Sequence, residues 1–406
     1  MEQAVGPEGL GTNLAELQNS RNDARNPSAQ QPPQLQPASS SAQTQAIAKR
    51  YARVKIALGI AGTFIFFALT ILLVATNATR ILEKLVRTLV ENDYLALLLF
   101  AAGLGLVETV LTFPLKLYSG FYLEHKYRLS NQTFRAWVWE GTKGMLIGVL
   151  LGTPILLALY FCLRSMGDLW WLPVGAILFL FSIVLARLAP ILIFPLFHKF
   201  KSLENGELRD GILDLCHKVG MSVQGVFVFD MSKNTKKANA AFTGIGKSKR
   251  IILGDTLVAN FTNEEIETIF AHEVGHHKLK HIWMMLVMGT INTFLGLYLT
   301  AEAYRASLAW FGFSSIDQIA ALPLLGLWLG VYSLITGPLS NMLSRSHERA
   351  ADRFAIATSG NKAAFVNALR KLATINLADM APHPMIEFLF HGHPSIEKRI
   401  KAVERM

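Results

Sequence analysis

Six long apolar stretches constrain the fold of this 406-residue chain more than any other feature of its sequence. They cover residues 56–75, 94–115, 145–163, 169–197, 282–301 and 322–339. A helix of about 20 apolar residues crosses the hydrocarbon core of a bilayer with its backbone hydrogen bonds satisfied internally. Only 17% of the residues are charged, against about 25% in soluble domains. The sequence therefore predicts a mainly α, polytopic transmembrane protein that lies in a lipid bilayer.

The spans divide the chain into five predicted regions. Residues 1–50 are rich in Gln, Pro and Ser and poor in large apolar residues, so we expect a disordered tail. Residues 51–197 hold four spans, 198–281 form a soluble insert, 282–343 hold two more spans, and 344–406 form a C-terminal segment. The insert and the C-terminal segment are expected to build a small α+β domain between and after the last spans.

Basic residues are distributed unevenly between the two sides of the predicted bundle. With six spans, the N-terminal tail, the loop at 116–144, the insert and the C-terminal segment share one side. This side carries most of the Lys and Arg residues next to the spans, so the positive-inside rule predicts that it faces the cytoplasm. Both a bacterial inner membrane and an endoplasmic reticulum membrane are compatible with this orientation. Because the basic residues flank the spans, the net charge of +10 does not indicate a nucleic-acid partner, and none is expected.

The insert has its own strand and helix signals. Residues 225–230 and 249–255 are predicted strands, and a further strand at 239–243 makes 238–254 a predicted hairpin. Thr262 and Glu265 form a capping-box pattern that begins a helix. No terminating pattern follows before about Ala301, so the sequence predicts one continuous helix from Thr262 through the fifth span.

The stretch AHEVGHHKLKH (271–281) contains a histidine pair with metal-ligand spacing. His272 and His276 are four residues apart, so both imidazoles lie on one helix face and can reach one zinc ion at about 2.0–2.1 Å. Glu273 lies beside the metal rather than on it, where it can take a proton from water and return it to a leaving amine. With 11 histidines in the chain, chance gives this H-E-x-x-H pattern about a 1% expectation. Gly275 costs about 1 kcal/mol of helix stability, which indicates a close backbone approach there.

A catalytic zinc needs a third protein ligand, for which the sequence offers several candidates. His277 and His281 share a face turned about 100° from His272, and we expect them to form a cationic helix end at the bilayer surface. Glu348 and Asp352 are four residues apart after the sixth span. If spans five and six form a hairpin, Glu348 returns beside His272, and Asp352 can accept a hydrogen bond from a histidine ligand. In isolation, the same acidic pair is typical of a solvated helix face.

Five ordered motifs make the chain resemble the zinc-dependent CAAX prenyl endopeptidases, an intramembrane gluzincin family that includes the more distant protease HtpX. The motifs are YLEHKYRLSNQTFRAW (122–137), KANAAFTGIGKSKRIILGDTL (237–257), AHEVGH (271–276), HERAADRFA (347–355) and HPSIEKRI (393–400). Several motifs in order are far more specific than H-E-x-x-H alone. The resemblance implies that the α+β domain is a zinc-protease domain with one zinc ion per chain.

The resemblance also implies a role for individual residues. The implied roles are zinc binding by His272, His276 and Glu348, general-base catalysis by Glu273, a hydrogen bond to a ligand histidine by Asp352, oxyanion stabilisation by His393, and substrate binding by Asn239, Ala240 and Arg399.

The implied activity is hydrolysis of peptide bonds in membrane-associated proteins, prenylated CAAX-type substrates among them. Quality control of misfolded membrane proteins, as in HtpX, is an alternative. A metal-ion transporter or sensor is a third, although transport ligands tend to lie at the bilayer midplane on broken helices, whereas these residues fall outside the spans. The eukaryotic prenyl proteases have seven spans against the six found in this sequence, which leaves open how the family's water-filled chamber is closed.

Overall fold

The structure, a computed structural model, describes residues 38–243 and 250–406. The chain divides into two units, Met1–Gln43 and Thr44–Met406, and the packing described below lies within the second. The predicted disorder of residues 1–37 falls outside the described residues. Residues 38–50 were assigned to the same tail, but they are helical. The helix of the first span extends through them because the segment is rich in good helix formers such as Ala, Gln and Lys.

The N-terminal half of the described chain is helical. Pro190 lies in a π-helical turn, Ala189–Ile193, where its missing N–H interrupts the regular hydrogen-bond ladder. A second π-helical turn is found at Tyr118–Tyr122. The α-helices are α1 (Ala38–Ala75), α2 (Ala78–Leu89), α3 (Asp93–Leu117), α4 (Leu123–Lys126), α5 (Phe134–Met166), α6 (Trp171–Leu188) and α7 (Phe194–Phe197).

The C-terminal half contains a small sheet followed by further helices. Its elements are β1 (Phe200–Ser202), α8 (Glu207–Lys218), β2 (Gly225–Phe229), β3 (Ala240–Thr243), β4 (Arg250–Gly254), α9 (Asp255–Asn260), α10 (Asn263–Lys278), α11 (His281–Leu308), α12 (Leu322–Ser359), α13 (Lys362–Ile375), α14 (Pro384–Phe390) and α15 (Ile396–Glu404). Short 3-10 turns lie at Gly167–Leu169, Met231–Lys233, Ala309–Phe311 and Ile319–Ala321.

The six predicted spans are confirmed as helices long and apolar enough to cross a membrane. Within the described residues these helices are Ala42–Ala75, Asp93–Lys126, Phe134–Leu169, Trp171–Phe197, His281–Phe311 and Ile319–Ser359. The α12 helix has 38 residues and is therefore about 57 Å long, against about 30 Å for the hydrocarbon core of a bilayer. Its C-terminal half can therefore project from the membrane into the soluble domain.

The sheet has the strand order β1-β2-β4-β3. The predicted strands of the hairpin pair antiparallel, with Ala240 opposite Leu253, and their connection at 244–249 lies outside the described residues. The sequence did not predict the strand β1, which pairs antiparallel with β2, or the parallel pairing of β2 with β4. Among the described strands, β3 lies at an edge of the sheet, so one side of its backbone is available for pairing with an added strand.

The prediction of one continuous helix from Thr262 through the fifth span is wrong. The helix α10 ends at Lys278 and α11 begins at His281. Between them Lys280 has a φ of 56°, in the left-handed region, and its N–H donates to the carbonyl of His277. Left-handed backbone costs a non-glycine residue roughly 1–2 kcal/mol, and the usual signal for it, a glycine after the last helical turn, is absent. The break therefore depends on tertiary packing rather than on local sequence.

The helix α10 is held in the core of the soluble domain. It packs against α8, α12 and α13. A Cβ atom at Gly275 would lie 3.2 Å from Ala351 Cα and 3.2 Å from Phe354 Cβ, both on α12. The close backbone approach expected from Gly275 is therefore present, and it brings two helices from distant parts of the sequence into direct contact. The buried core around them contains Ile212, Ile251, Leu253, Leu257, Ile266, Phe270, Ala271, Val274, Phe365 and Val403.

Candidate active site

The start of α10 is fixed by the predicted capping box. Thr262 Oγ1 accepts from the Glu265 N–H, and the Thr262 N–H donates to Glu265 Oε2 at 3.0 Å. Lys371 Nζ on α13 also donates to Glu265 Oε2, at 2.7 Å. The buried Glu265 thus ties the first turn of α10 to α13, and this sets the rotation of the helix that carries the histidine pair.

Three side chains converge from α10 and α12. His272 Nε2 lies 3.1 Å from His276 Nε2, His272 Nε2 lies 3.3 Å from Glu348 Oε2, and His276 Nε2 lies 3.2 Å from Glu348 Oε1. Ligand atoms at about 2.0–2.1 Å from a tetrahedral metal ion are about 3.3–3.4 Å apart. Among the described residues, these three form a group whose ligand atoms lie close enough together to bind one metal ion.

The hydrogen bonding of Glu348 also fits a metal ion. Glu348 Oε2 is buried without a hydrogen-bond partner of good geometry, although His393 Nδ1 lies 2.9 Å from it. A buried carboxylate oxygen without a good donor is costly unless a cation satisfies it. Two imidazole nitrogens and one carboxylate form a ligand set typical of catalytic metal sites, with a further position left open.

A second carboxylate supports His272 from behind. His272 Nδ1 lies 2.8 Å from Asp352 Oδ1, and Arg399 donates to both Asp352 oxygens, Nε to Oδ2 at 2.9 Å and Nη2 to Oδ1 at 2.6 Å. Burial alone would lower the pKa of His272, but the adjacent carboxylates of Asp352 and Glu348 outweigh burial and raise that pKa to about 9. The two carboxylates therefore favour positive charge at this position, whether it is carried by a proton or by a metal ion.

Glu273 lies next to the converging ligand atoms without joining them. Its side chain lines the same cavity as His276 and Glu348. Burial raises the pKa of Glu273. The charges of His272 and Arg399 oppose this effect and lower the pKa. No hydrogen bond to the Glu273 carboxyl is found among the described residues. The carboxylate is therefore free to bind a water molecule in the cavity.

One cavity of about 230 Å³ joins the predicted site residues. The side chain of His393 is 69% exposed at its mouth, and the edge strand β3 begins beside it at Ala240. Asp352 lies behind the cavity, where it contacts His272 and Arg399. The predicted site residues that line the cavity are Asn239, Ala240, His272, Glu273, His276, Glu348, His393 and Arg399.

Two histidines differ in their placement from the sequence-based expectation. His277 packs against Phe242, with ring centroids 5.4 Å apart. His281 is not an exposed cationic end of the helix: it is only 4% exposed, and its Nδ1 lies 3.0 Å from His276 Nδ1. The expectation failed because it placed both residues on an unbroken helix, whereas the left-handed Lys280 turns the chain between them.

Comparison with protein families gives two matches that together span most of the chain. Residues 22–199 match the family model described as CAAX prenyl protease N-terminal, five membrane helices. Residues 202–406 match the model of peptidase family M48. The boundary between the two matches falls at β1, near the start of the soluble insert.

Individual proteins and a solved structure are similar over most of their length. CAAX prenyl protease 1 of Saccharomyces cerevisiae is 32% identical over 331 residues, which cover 76% of this chain and 72% of that protein. The uncharacterized metalloprotease YhfN of Bacillus subtilis is 30% identical over 388 residues, 94% of this chain and 91% of that protein. The crystal structure of S. mikatae Ste24p matches with a TM-score of 0.79 and 28% identity, and the match covers 89% of each chain.

Proposed function

The chain belongs to the CAAX prenyl protease family of M48 metallopeptidases, and on that premise we propose that it is a zinc endopeptidase that cleaves prenylated CAAX-type proteins at the cytoplasmic face of its membrane. Membership makes it a multi-pass membrane metalloendopeptidase that acts on peptide substrates. The proposal adds the metal, the roles of the residues, the substrate class and the orientation. The observation that carries it is the convergence of His272, His276 and Glu348 beside Glu273.

The proposed zinc ligands are His272, His276 and Glu348. Two imidazoles and one carboxylate leave one tetrahedral position open, the arrangement of catalytic rather than structural zinc. When bound, zinc supplies Lewis acidity to the cavity. Asp352 accepts a hydrogen bond from the Nδ1–H of His272 and so orients the ring, with Nε2 facing the metal position. Arg399 in turn holds Asp352 with two hydrogen bonds, so its role is to fix this support as well as to line the substrate cavity.

Glu273 is the proposed general base and acid. Its carboxylate takes a proton from the attacking water, and the water oxygen adds to the scissile carbonyl carbon. The same carboxyl then returns the proton to the leaving amine, which breaks the C–N bond. Burial raises the pKa of Glu273, and a raised carboxyl pKa improves the proton return to the amine at neutral pH.

His393 and the edge strand β3 are the proposed substrate contacts. The ring of His393 is exposed at the cavity mouth, 2.9 Å from Glu348 Oε2, where an N–H can donate to the developing oxyanion. A substrate in extended conformation can pair with the free edge of β3 beside Ala240 and Asn239. Main-chain pairing of this kind holds a peptide in register without requiring a particular side chain.

The proposed substrates are lipidated because of where the site lies. The metal-binding face of α10 ends only a few residues before α11 enters the predicted fifth span, and Glu348 is carried by the extension of the sixth. A prenyl chain inserted in the bilayer would therefore present the adjacent peptide at the height of the cavity.

Cleavage of a matched peptide pair tests the substrate class. We expect purified full-length protein to cleave a farnesylated CAAX peptide with a kcat/KM at least ~10-fold above that of the unprenylated peptide, because the lipid contributes binding energy, and a chelator should abolish both rates. Equal rates on the two peptides, together with cleavage of misfolded membrane proteins, would favour quality control instead. Failure of the zinc-loaded protein to cleave any peptide would contradict the peptidase assignment itself.

Labelling of single cysteines tests the orientation. We expect Lys201→Cys, in the insert, to react with an impermeant maleimide only from the cytoplasmic side, and Ser314→Cys, after α11, only from the other side. Lys201 and Ser314 are both exposed, and Cys162 and Cys216 would first be replaced by alanine. The reverse pattern would place the active site on the non-cytoplasmic face.

A further inference from the structure

His281 contacts the proposed metal ligand His276 on the side away from the metal. The two Nδ1 atoms are 3.0 Å apart, and the ring planes are inclined by 69° with centroids 5.2 Å apart. His276 thus has one ring nitrogen facing Glu348 and His272 and the other facing His281. None of the roles assigned above uses His281.

This contact exists because the helix breaks. On a continuous helix, His281 would be five residues after His276 and turned about 140° away from it. The left-handed conformation of Lys280 allows a new helix to start at His281. The ring of His281 then lies against His276. Strained backbone persists where the surrounding structure gains from it, and it clusters at functional sites. The contact with His276 is what the turn provides here.

The short distance between the two nitrogens determines how the protons are placed. A hydrogen bond between two imidazole nitrogens needs one N–H and one lone pair. His276 can bind a metal ion through Nε2 only if the proton of its neutral ring is on Nδ1. His276 Nδ1–H therefore donates to His281 Nδ1, and the proton of the neutral His281 ring lies on Nε2. This tautomer matches that of His272, whose Nδ1 faces Asp352.

His281 is itself held in place by the two membrane helices. Its ring stacks on His347 of α12, with centroids 4.2 Å apart and planes inclined by 7°. His347 Nε2 lies 3.1 Å from the sulfur of Met284 on α11. Both histidines are buried, His281 at 4% and His347 at 6% exposure. A stacked, buried ring has little rotational freedom, so its Nδ1 is a fixed acceptor.

We propose that His281 is a positioning residue that holds His276 in the tautomer and orientation needed for the metal ion, as Asp352 does for His272. The inference rests on the proposed zinc site. Ligand histidines usually donate their second N–H to a carboxylate, a carbonyl or a water molecule, whereas the acceptor here is a neutral imidazole at the membrane end of the site. The helix break between α10 and α11 is thereby part of the metal site.

Zinc affinity tests this role separately from cleavage. In purified full-length protein, titration against a competing chelator should show zinc binding weakened about 10–100-fold in His281→Leu, the range for loss of such a partner. In His281→Asn the side-chain oxygen takes the place of Nδ1 as an acceptor, so affinity should return to within about 5-fold of the wild type. A merely structural contribution of the ring would not separate Asn from Leu in this way.

The control is His347→Phe, which keeps a stacked aromatic ring against His281 but contributes no nitrogen. Its zinc affinity should remain within about 3-fold of the wild type, and thermal unfolding of each metal-free variant verifies that it is folded. Wild-type affinity in His281→Leu would overturn the inference, as would equal weakening in the Asn and Leu variants. If the wild type itself binds no zinc, the proposed zinc site fails and this inference fails with it.

Discussion

Glu273→Gln should abolish peptide cleavage while zinc stays bound. Glutamine has the size of glutamate but cannot take a proton from water at neutral pH, and general acid–base catalysis contributes about 10²–10⁴-fold to the rate. Because Glu273 is proposed both to take and to return the proton, we expect a loss of at least about 10³-fold in kcat. The three converging ligand atoms do not include Glu273, so zinc content should be unchanged. Kinetics on the preferred peptide and metal analysis of the same sample measure both quantities.

Glu264→Gln is the matched control for this substitution. Glu264 lies on the same helix α10, is exposed, and is nine residues or about 13 Å from Glu273. The same chemical change should leave cleavage within about twofold of the wild type. Cleavage by purified Glu273→Gln protein at a wild-type rate would remove Glu273 from the mechanism. Loss of zinc from that variant would show instead that its carboxylate holds the metal.

The elements that sequence analysis predicted correctly are those with short-range signals. The spans follow from the length of their apolar runs, and the start of α10 follows from the Thr262–Glu265 pattern. The pairing of His272 with His276 follows from helix periodicity. Predicting that Glu348 lies near His272 required one further assumption, that spans five and six form a hairpin. The sequence indicated this hairpin only through the order of the motifs.

The elements that were missed depend on contacts between distant residues. Lys280 has no sequence signal for a left-handed turn, and the burial of His281 follows only once α11 and α12 are packed together. Arg399 was expected among substrate contacts, and its hydrogen bonds to Asp352 join residues that are 47 positions apart. The parallel pairing of β2 with β4 likewise joins strands separated by β3 in the sequence. Spacing within one element cannot reveal such contacts.

The position of Glu348 suggests how the catalytic domain is coupled to the membrane. The helix α12 runs from the sixth span to Ser359 with Pro338 inside it, so Glu348 and the span lie on one helix. The histidine pair reaches the membrane through the break at Lys280 instead. The proposed ligands His272 and His276 are thus connected to the membrane through a helix break, whereas Glu348 lies on the same helix as the sixth span. A bound metal ion would link these two parts of the protein.

Replacement of Glu348, the proposed third ligand, should have the second large effect. In Glu348→Gln we expect zinc affinity to fall by more than about 100-fold, since loss of a supporting partner already costs about 10–100-fold and a neutral amide is a poorer ligand than a carboxylate. Cleavage should be lost in parallel at low zinc concentration. The fold should persist, because glutamine fills the same volume and the Asp352–Arg399 pair remains. Competition with a chelator measures the affinity, and thermal unfolding of the metal-free protein verifies the fold.

The contrast between the two variants distinguishes metal binding from catalysis. Raising the free zinc concentration above the new Kd should restore cleavage in part to Glu348→Gln, because the proposed base Glu273 is intact, but it should restore none to Glu273→Gln. Arg349→Gln is the control, since Arg349 is the neighbouring residue on α12 and is exposed; its zinc affinity should equal that of the wild type. If Glu348→Gln bound zinc as tightly as the wild type, the third ligand would have to be another group, and His393, 2.9 Å from the same carboxylate, would be the next residue to replace.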